Sequence, residues 1–265
     1  MGRGQRLGVV VLVSSALAGA ACSSARSDAG HERPLAAPPA TREAAATAWD
    51  DARDDVAAER ARLAVAWRAA STPAERAAVR DQASRFLVAT LVDRLVPPWL
   101  GMPWGLGRDS TATRPHQPGK TIACSYFVGA VLQGAGFTLR DRFRLGQAAA
   151  LVIQRSLVGG AGKVNRFLSI PPAELATRLA ALDDGVYIIG LDVHVGLVVV
   201  RGDEVRFVHA SYTGDQVVTD EPLATAAAIA RSQPRGYFVS PLVTTQGVAD
   251  DWLVERWLEG DPVGP

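Results

Sequence analysis

Cysteine is nearly missing from this 265-residue chain: there are two, Cys22 and Cys124. That excludes a small fold stapled by several disulfides and a zinc site built on paired cysteines. Charge of one sign is missing as well. The 28 lysines and arginines stand against 27 acidic residues, which leaves no electrostatic footprint for nucleic acid or for an anionic membrane surface. No glycine-rich phosphate loop and no HExxH-like histidine pair occurs, so neither cofactor nor metal is expected. Asp183-Asp184 and Asp250-Asp251 read as turn or cap charges. A hydrophobic fraction of 48% is nevertheless ample for a sizeable core.

A long apolar run is absent too, apart from Leu7 to Ala21, which at about fifteen residues is short for a membrane span. Arg3 and Arg6 precede it and small residues end it before Cys22, the pattern of an export signal. Leu17-Ala18-Gly19-Ala20-Ala21-Cys22 resembles a bacterial lipoprotein cleavage box. The resemblance implies that Cys22 is acylated, becomes the first mature residue and anchors the chain to a membrane of the bacterial cell envelope, facing the periplasm or the exterior. Gly19 stands where that box prefers an aliphatic residue, so ordinary secretion with cleavage nearby stays open. Residues 1–22 are thus read as signal and anchor. Residues 23–41, rich in Ser, Ala, Pro and charge and containing His31, are read as a flexible linker.

Trp49, Val56, Leu63 and Trp67 recur at helical spacing, predicting an amphipathic helix from about Arg42 to Ala70. Thr72-Pro73-Ala74-Glu75 is a capping box with proline in the first helical position, which starts a second helix running to about Leu95. These two form a helical hairpin, residues 42–97, whose aromatic stripe reads as core. A Gly/Pro-punctuated stretch follows from Trp99 to Lys120. Helices are then expected over Cys124–Gln133, about Leu145–Leu157 and Pro172–Leu182. Strands follow over Val186–Leu191, His194–Val200 and Val205–Ala210, with Arg201-Gly202-Asp203-Glu204 as a hairpin turn. Pro222 to Arg231 reads as helical and Gly236 to Leu242 as a last strand. Trp252, Leu253 and Trp257 suggest a closing helix within residues 244–265. Helices first and antiparallel strands afterwards indicate an α+β fold, with residues 98–243 as its working part.

Cys124 is the residue on which function turns. It is read as an inert buried thiol, as the partner of Cys22 in a disulfide, or as a nucleophile. A helix N-terminus favours the thiolate, and Cys124 opens a predicted helix. A base would complete the activation. His194 opens a strand, and Gly196 beside it leaves space for a substrate backbone. The hairpin should bring His209 back alongside, where it orients the His194 ring if the register places both on one face. Both histidines also admit a plain reading as half-buried strand residues bonded to main chain.

Cys124-Ser125-Tyr126-Phe127-Val128, then His194-Val195-Gly196-Leu197, then Phe207-Val208-His209-Ala210-Ser211 resembles the NlpC-type cell-wall cysteine peptidases, over roughly Gly101 to Leu242. The resemblance implies a papain-like fold and hydrolysis of amide bonds, usually in peptidoglycan stem peptides, with Cys124 as nucleophile, His194 as base and His209 as orienting residue. Pro103-Trp104-Gly105-Leu106-Gly107 is similar to the segment that shapes that family's substrate site. By this likeness Trp104, Ser125 and Tyr126 bind substrate. Ala123 replaces the family's usual Asp and Tyr126 its Gly, and the connection from Trp104 to the cysteine is extended. The Cys124 peptide N–H is the expected oxyanion donor, with His116 and Gln117 as candidate second donors. Two rival readings remain: a wall-binding or assembly lipoprotein that has lost catalysis, and an acyltransferase or amidase acting on a substrate other than peptidoglycan.

Overall fold

The computed structural model describes residues 37–158, 164–244 and 249–254. Cys22, His31, Trp257, the expected signal and most of the linker lie outside these. Helix α1 (Arg42–Ala69) begins at Thr41, whose hydroxyl accepts from the Ala44 N–H at 3.1 Å. It buries Ala45, Trp49, Ala52, Val56 and Leu63, a stripe at helical spacing. Helix α2 (Pro73–Thr90) has the full capping box, Glu75 N–H to Thr72 and Thr72 N–H back to Glu75. Its continuation over Leu91–Leu95 is a π-helical turn, closed by the Val96 N–H on the Leu91 carbonyl and followed by a 3₁₀ turn at Pro97–Trp99. The looser turn and the prolines, which have no N–H to extend the helix, swing Trp99 into the interior. There its ring meets Trp49 at 5.4 Å and Phe127 at 5.9 Å, both edge-on.

Phe127 belongs to α3 (Cys124–Gly134), so the hairpin is joined to the working part through an aromatic trio. One hydrophobic core runs continuously from Trp49 and Leu87 through α3 to the sheet.

The expected helix over 145–157 is two helices, α4 (Arg142–Gln147) and α5 (Ala150–Val158). Asp141 caps α4 by accepting from the Arg144 N–H, and Ala148 is extended at ψ 158°, so the chain turns between them. Gly146 shows why α4 is where it is: a Cβ there would lie 2.6 Å from the Tyr126 ring. α6 (Pro172–Ala180) and α7 (Ala227–Ser232) follow later in the chain, and α8 (Ala249–Leu253) closes it, the Trp252 Nε1 donating to the Ala135 carbonyl at 2.7 Å.

Six strands make one antiparallel sheet: β1 (Asn165–Phe167), β2 (Gly185–Gly190), β3 (Val195–Arg201), β4 (Glu204–Ala210), β5 (Val218–Pro222) and β6 (Tyr237–Val243), in the order β1-β6-β2-β3-β4-β5. The fold is therefore α+β. Val186, Ile188, Leu197, Val199 and Val208 face the core shared with α3. The alternate residues Tyr187, Ile189, Val198, Val200 and Phe207 face a second core with Leu175, Leu179 and Ile229. Both faces are covered, which is why the strands read as continuous Val/Ile runs rather than alternating ones.

Two strands are absent from the sequence expectation. β1 is three residues long. β5 contains Asp220 and Glu221, residues with poor strand propensity, and the expected helix at Pro222 begins only after it, as a 3₁₀ turn at Leu223–Thr225 and then α7. Cross-strand partners override propensity there. Asp220 accepts from the Arg206 Nε at 2.9 Å in a pair buried at both ends, and Glu221 bonds His209.

Candidate active site

Cys124 is the first residue of α3, and its N-cap Ala123 makes no side-chain hydrogen bond. An Asp at that position would compete for the leading N–H groups of the helix. With alanine they have no such competitor: the N–H groups of Ser125 and Cys124 itself, together with the Val195 N–H on β3 and the Ser125 hydroxyl, all favour the thiolate. Burial nevertheless outweighs them and pushes the Cys124 thiol above its ordinary range, opposite to the expectation from the helix terminus alone. Among the described residues Cys124 is a free, partly buried cysteine. Val195 follows His194 directly, so its N–H ties the thiol to the start of β3.

His194 is buried, and its Nε2 lies 2.7 Å from the Nδ1 of His209. The register explains the meeting. Leu197 pairs with Val208, which sets Gly196 beside His209 and turns His194 and His209 to the same face. The His209 Nε2 in turn lies 2.9 Å from Glu221 Oε1 on β5. Phe207 stacks on the His209 ring at 3.9 Å and 17°. Burial, with the neighbouring His209, holds His194 well below the ordinary histidine value of 6.5. Burial also lowers His209, against the opposing pull of Glu221.

Gly196 has a different use from the expected one. A Cβ on it would meet Phe207 at 2.6 Å, the His209 Cβ at 2.9 Å and the Val208 carbonyl at 3.0 Å. Its missing side chain is space for β4, not for a substrate backbone. Gly196→Ala is therefore expected to splay β3 from β4 and cost about 1–3 kcal/mol. Thermal denaturation checks this, and an unchanged midpoint would contradict the packing argument.

The upstream segment returns to the cysteine. The Ile122 N–H donates to the Pro103 carbonyl at 3.0 Å, and the Trp104 N–H to the Gln216 carbonyl at 2.7 Å. Trp104 thus sits between the approach to Cys124 and the loop after β4. Its ring is 6.3 Å from Tyr212, which is 5.1 Å from the His194 ring. Gly105 permits the approach, since a Cβ there would lie 2.4 Å from the Thr121 hydroxyl.

Ser125 and Tyr126, read as substrate-binding, make contacts within the protein, the Ser125 hydroxyl also favouring the Cys124 thiolate. The Ser125 hydroxyl donates to the Gly146 carbonyl at 2.5 Å, and the Tyr126 ring packs on Gly146 with the Arg142 guanidinium 5.8 Å from its centroid. Both dock α4 onto α3. The Gln117 side chain accepts from Thr113 and is spent on its own loop, while His116 bonds the backbone of Leu100 and is lowered chiefly by burial.

Sequence reasoning misses Glu221 and Tyr212. Glu221 lies in a segment with no strand signal, and Tyr212 comes one residue after the His209 motif, so its ring contact with His194 depends on the turn after β4.

Comparison of the chain with protein-family models, with curated proteins and with solved structures finds no match.

Proposed function

We propose that this protein is an exported cysteine hydrolase of papain-like, NlpC-type architecture that cleaves amide bonds, with peptidoglycan stem peptides as substrate and Cys22 as lipid anchor. The observation that carries the reading is the convergence of a helix-terminal thiol with the β3 backbone N–H next to His194, while His194 is held from behind by His209 at 2.7 Å. A buried inert cysteine would need neither a second histidine nor an uncapped helix start.

In this mechanism the His194 nitrogen not bonded to His209, Nδ1, takes the thiol proton as Sγ attacks the amide carbonyl. The oxyanion faces the Cys124 N–H. Collapse expels the amine with the proton from His194 and leaves a thioester. Water, deprotonated by the same nitrogen, then releases the acid and regenerates the thiol. Tyr212 lies against the base, with Trp104 behind it, and the two would line the acyl side of the cleft.

The test is digestion of peptidoglycan fragments by the full chain, read by mass spectrometry as new amine and carboxyl termini. Cleavage that disappears in Cys124→Ser supports the reading. Acylation of Cys124 with transfer to an added amine instead of water would make the protein an acyltransferase, and fragment binding without acylation would make it a wall-binding lipoprotein.

A further inference from the structure

The buried imidazole pair ends on a carboxylate. His209 uses both ring nitrogens, Nδ1 on His194 Nε2 at 2.7 Å and Nε2 on Glu221 Oε1 at 2.9 Å. At neutral pH a glutamate carboxylate can only accept, so the proton between Glu221 and His209 sits on His209 Nε2. A neutral imidazole carries one N–H. His209 Nδ1 is then a bare acceptor, and the proton in the His194–His209 bond sits on His194 Nε2. The same rule leaves His194 Nδ1 bare.

We infer that Glu221 is the positioning residue of this site: from the far end of a two-histidine relay it dictates which nitrogen of His194 is basic. Its consequence for catalysis rests on the proposed Cys124–His194 pair, but the placement of the protons does not.

The surroundings fit a dedicated contact. Phe207 fixes the plane of the His209 ring by stacking, and Gly196 makes room for both. Glu221 keeps 30% of its side-chain surface and borders a cavity of about 220 Å³ shared with Ser211, Thr213, Asp215 and Thr219. Asp215 is the other acidic group at that cavity. Tyr212 faces His194, with the Arg231 guanidinium 5.8 Å from its ring centroid, and the nearby cation Arg206 is engaged by Asp220 and Glu204. Among the described residues the basic group bonded to Glu221 is His209.

The experiment uses the full chain labelled with ¹⁵N-histidine, whose four histidines allow ring nitrogens to be assigned by substitution. His194 and His209 are expected as Nε2–H tautomers in the wild type and in Glu221→Gln, whose amide oxygen still accepts. In Glu221→Leu both should shift toward Nδ1–H, and alkylation of Cys124 at pH 7 should fall about tenfold or more, as expected when a base is held in the wrong tautomer. An Nδ1–H tautomer of His209 in the wild type overturns the inference without any variant, which covers the case of Glu221→Leu failing to fold. Tautomers unmoved in a folded Glu221→Leu also overturn it. Tautomers that follow Glu221 while Cys124 labelling ignores His194→Ala would uphold the relay and defeat the hydrolase reading instead.

Discussion

His194→Ala is expected to slow alkylation of Cys124 at pH 7 by about a hundredfold, the low end of what a positioned base contributes. Iodoacetamide and quantitation of the Cys124-containing peptide measure it without interference from Cys22. The shape of the pH profile should be equally informative. Burial holds the Cys124 thiol up, and burial together with His209 holds His194 well down, so both rest neutral near pH 7. The thiolate then forms by transfer to His194 during reaction rather than as a standing ion pair. The wild-type rate should climb with pH and show no plateau below neutrality. A flat profile from pH 5 upward would reveal a preformed thiolate–imidazolium pair and contradict this account.

The same two histidines set an acid limit on stability. Their folded values lie below the ordinary 6.5, so below that pH the unfolded chain binds more protons than the folded one. Stability from this source is complete above about pH 6.5 and is lost as pH falls below it. Thermal midpoints should drop between pH 7 and pH 5, and the drop should be shallower in His194→Ala.

Trp49→Ala should cost about 3–5 kcal/mol, a large share of the roughly 5–15 kcal/mol that holds a domain together. Trp49 is 2% exposed, and a Cβ on Gly134 would lie 2.2 Å from its ring, so the indole rests directly on the backbone of the helix that carries Cys124. Removing it leaves a void between α1, Trp99 and α3. The loss should therefore reach the site. Denaturant unfolding followed by tryptophan fluorescence and by Cys124 labelling should give coincident transitions, both shifted to lower denaturant. A hairpin transition that moves alone would show the hairpin to be an accessory rather than part of one core.

Much of this architecture is legible in one dimension. The Thr72–Glu75 capping box, the Trp49–Val56–Leu63 stripe and the Arg201–Glu204 turn depend on neighbours a few residues apart, and local geometry decides them. Cys124 at a helix start, followed later in the chain by one histidine just ahead of a strand and one within the next, is local in the same sense, although β3 begins at Val195 and not at His194. Other features are not. The helix that breaks at Ala148 is docked through Gly146 onto Tyr126, twenty residues away. Strand β5 forms because Asp220 and Glu221 find Arg206 and His209 across the ladder, against their own propensities.

What the sequence determined by itself was the α+β order of elements, the lone cysteine at the start of a helix in the working part and the two histidines that follow it in the chain around one hairpin, because each follows from spacing and residue type. The tertiary structure alone decided the state of that chemistry. Burial reversed the direction expected for the thiol, strand register brought His194 and His209 to 2.7 Å, and an edge strand supplied Glu221. Desolvation and cross-strand contact are sums over residues far apart in the chain, so they exist only once the chain has folded.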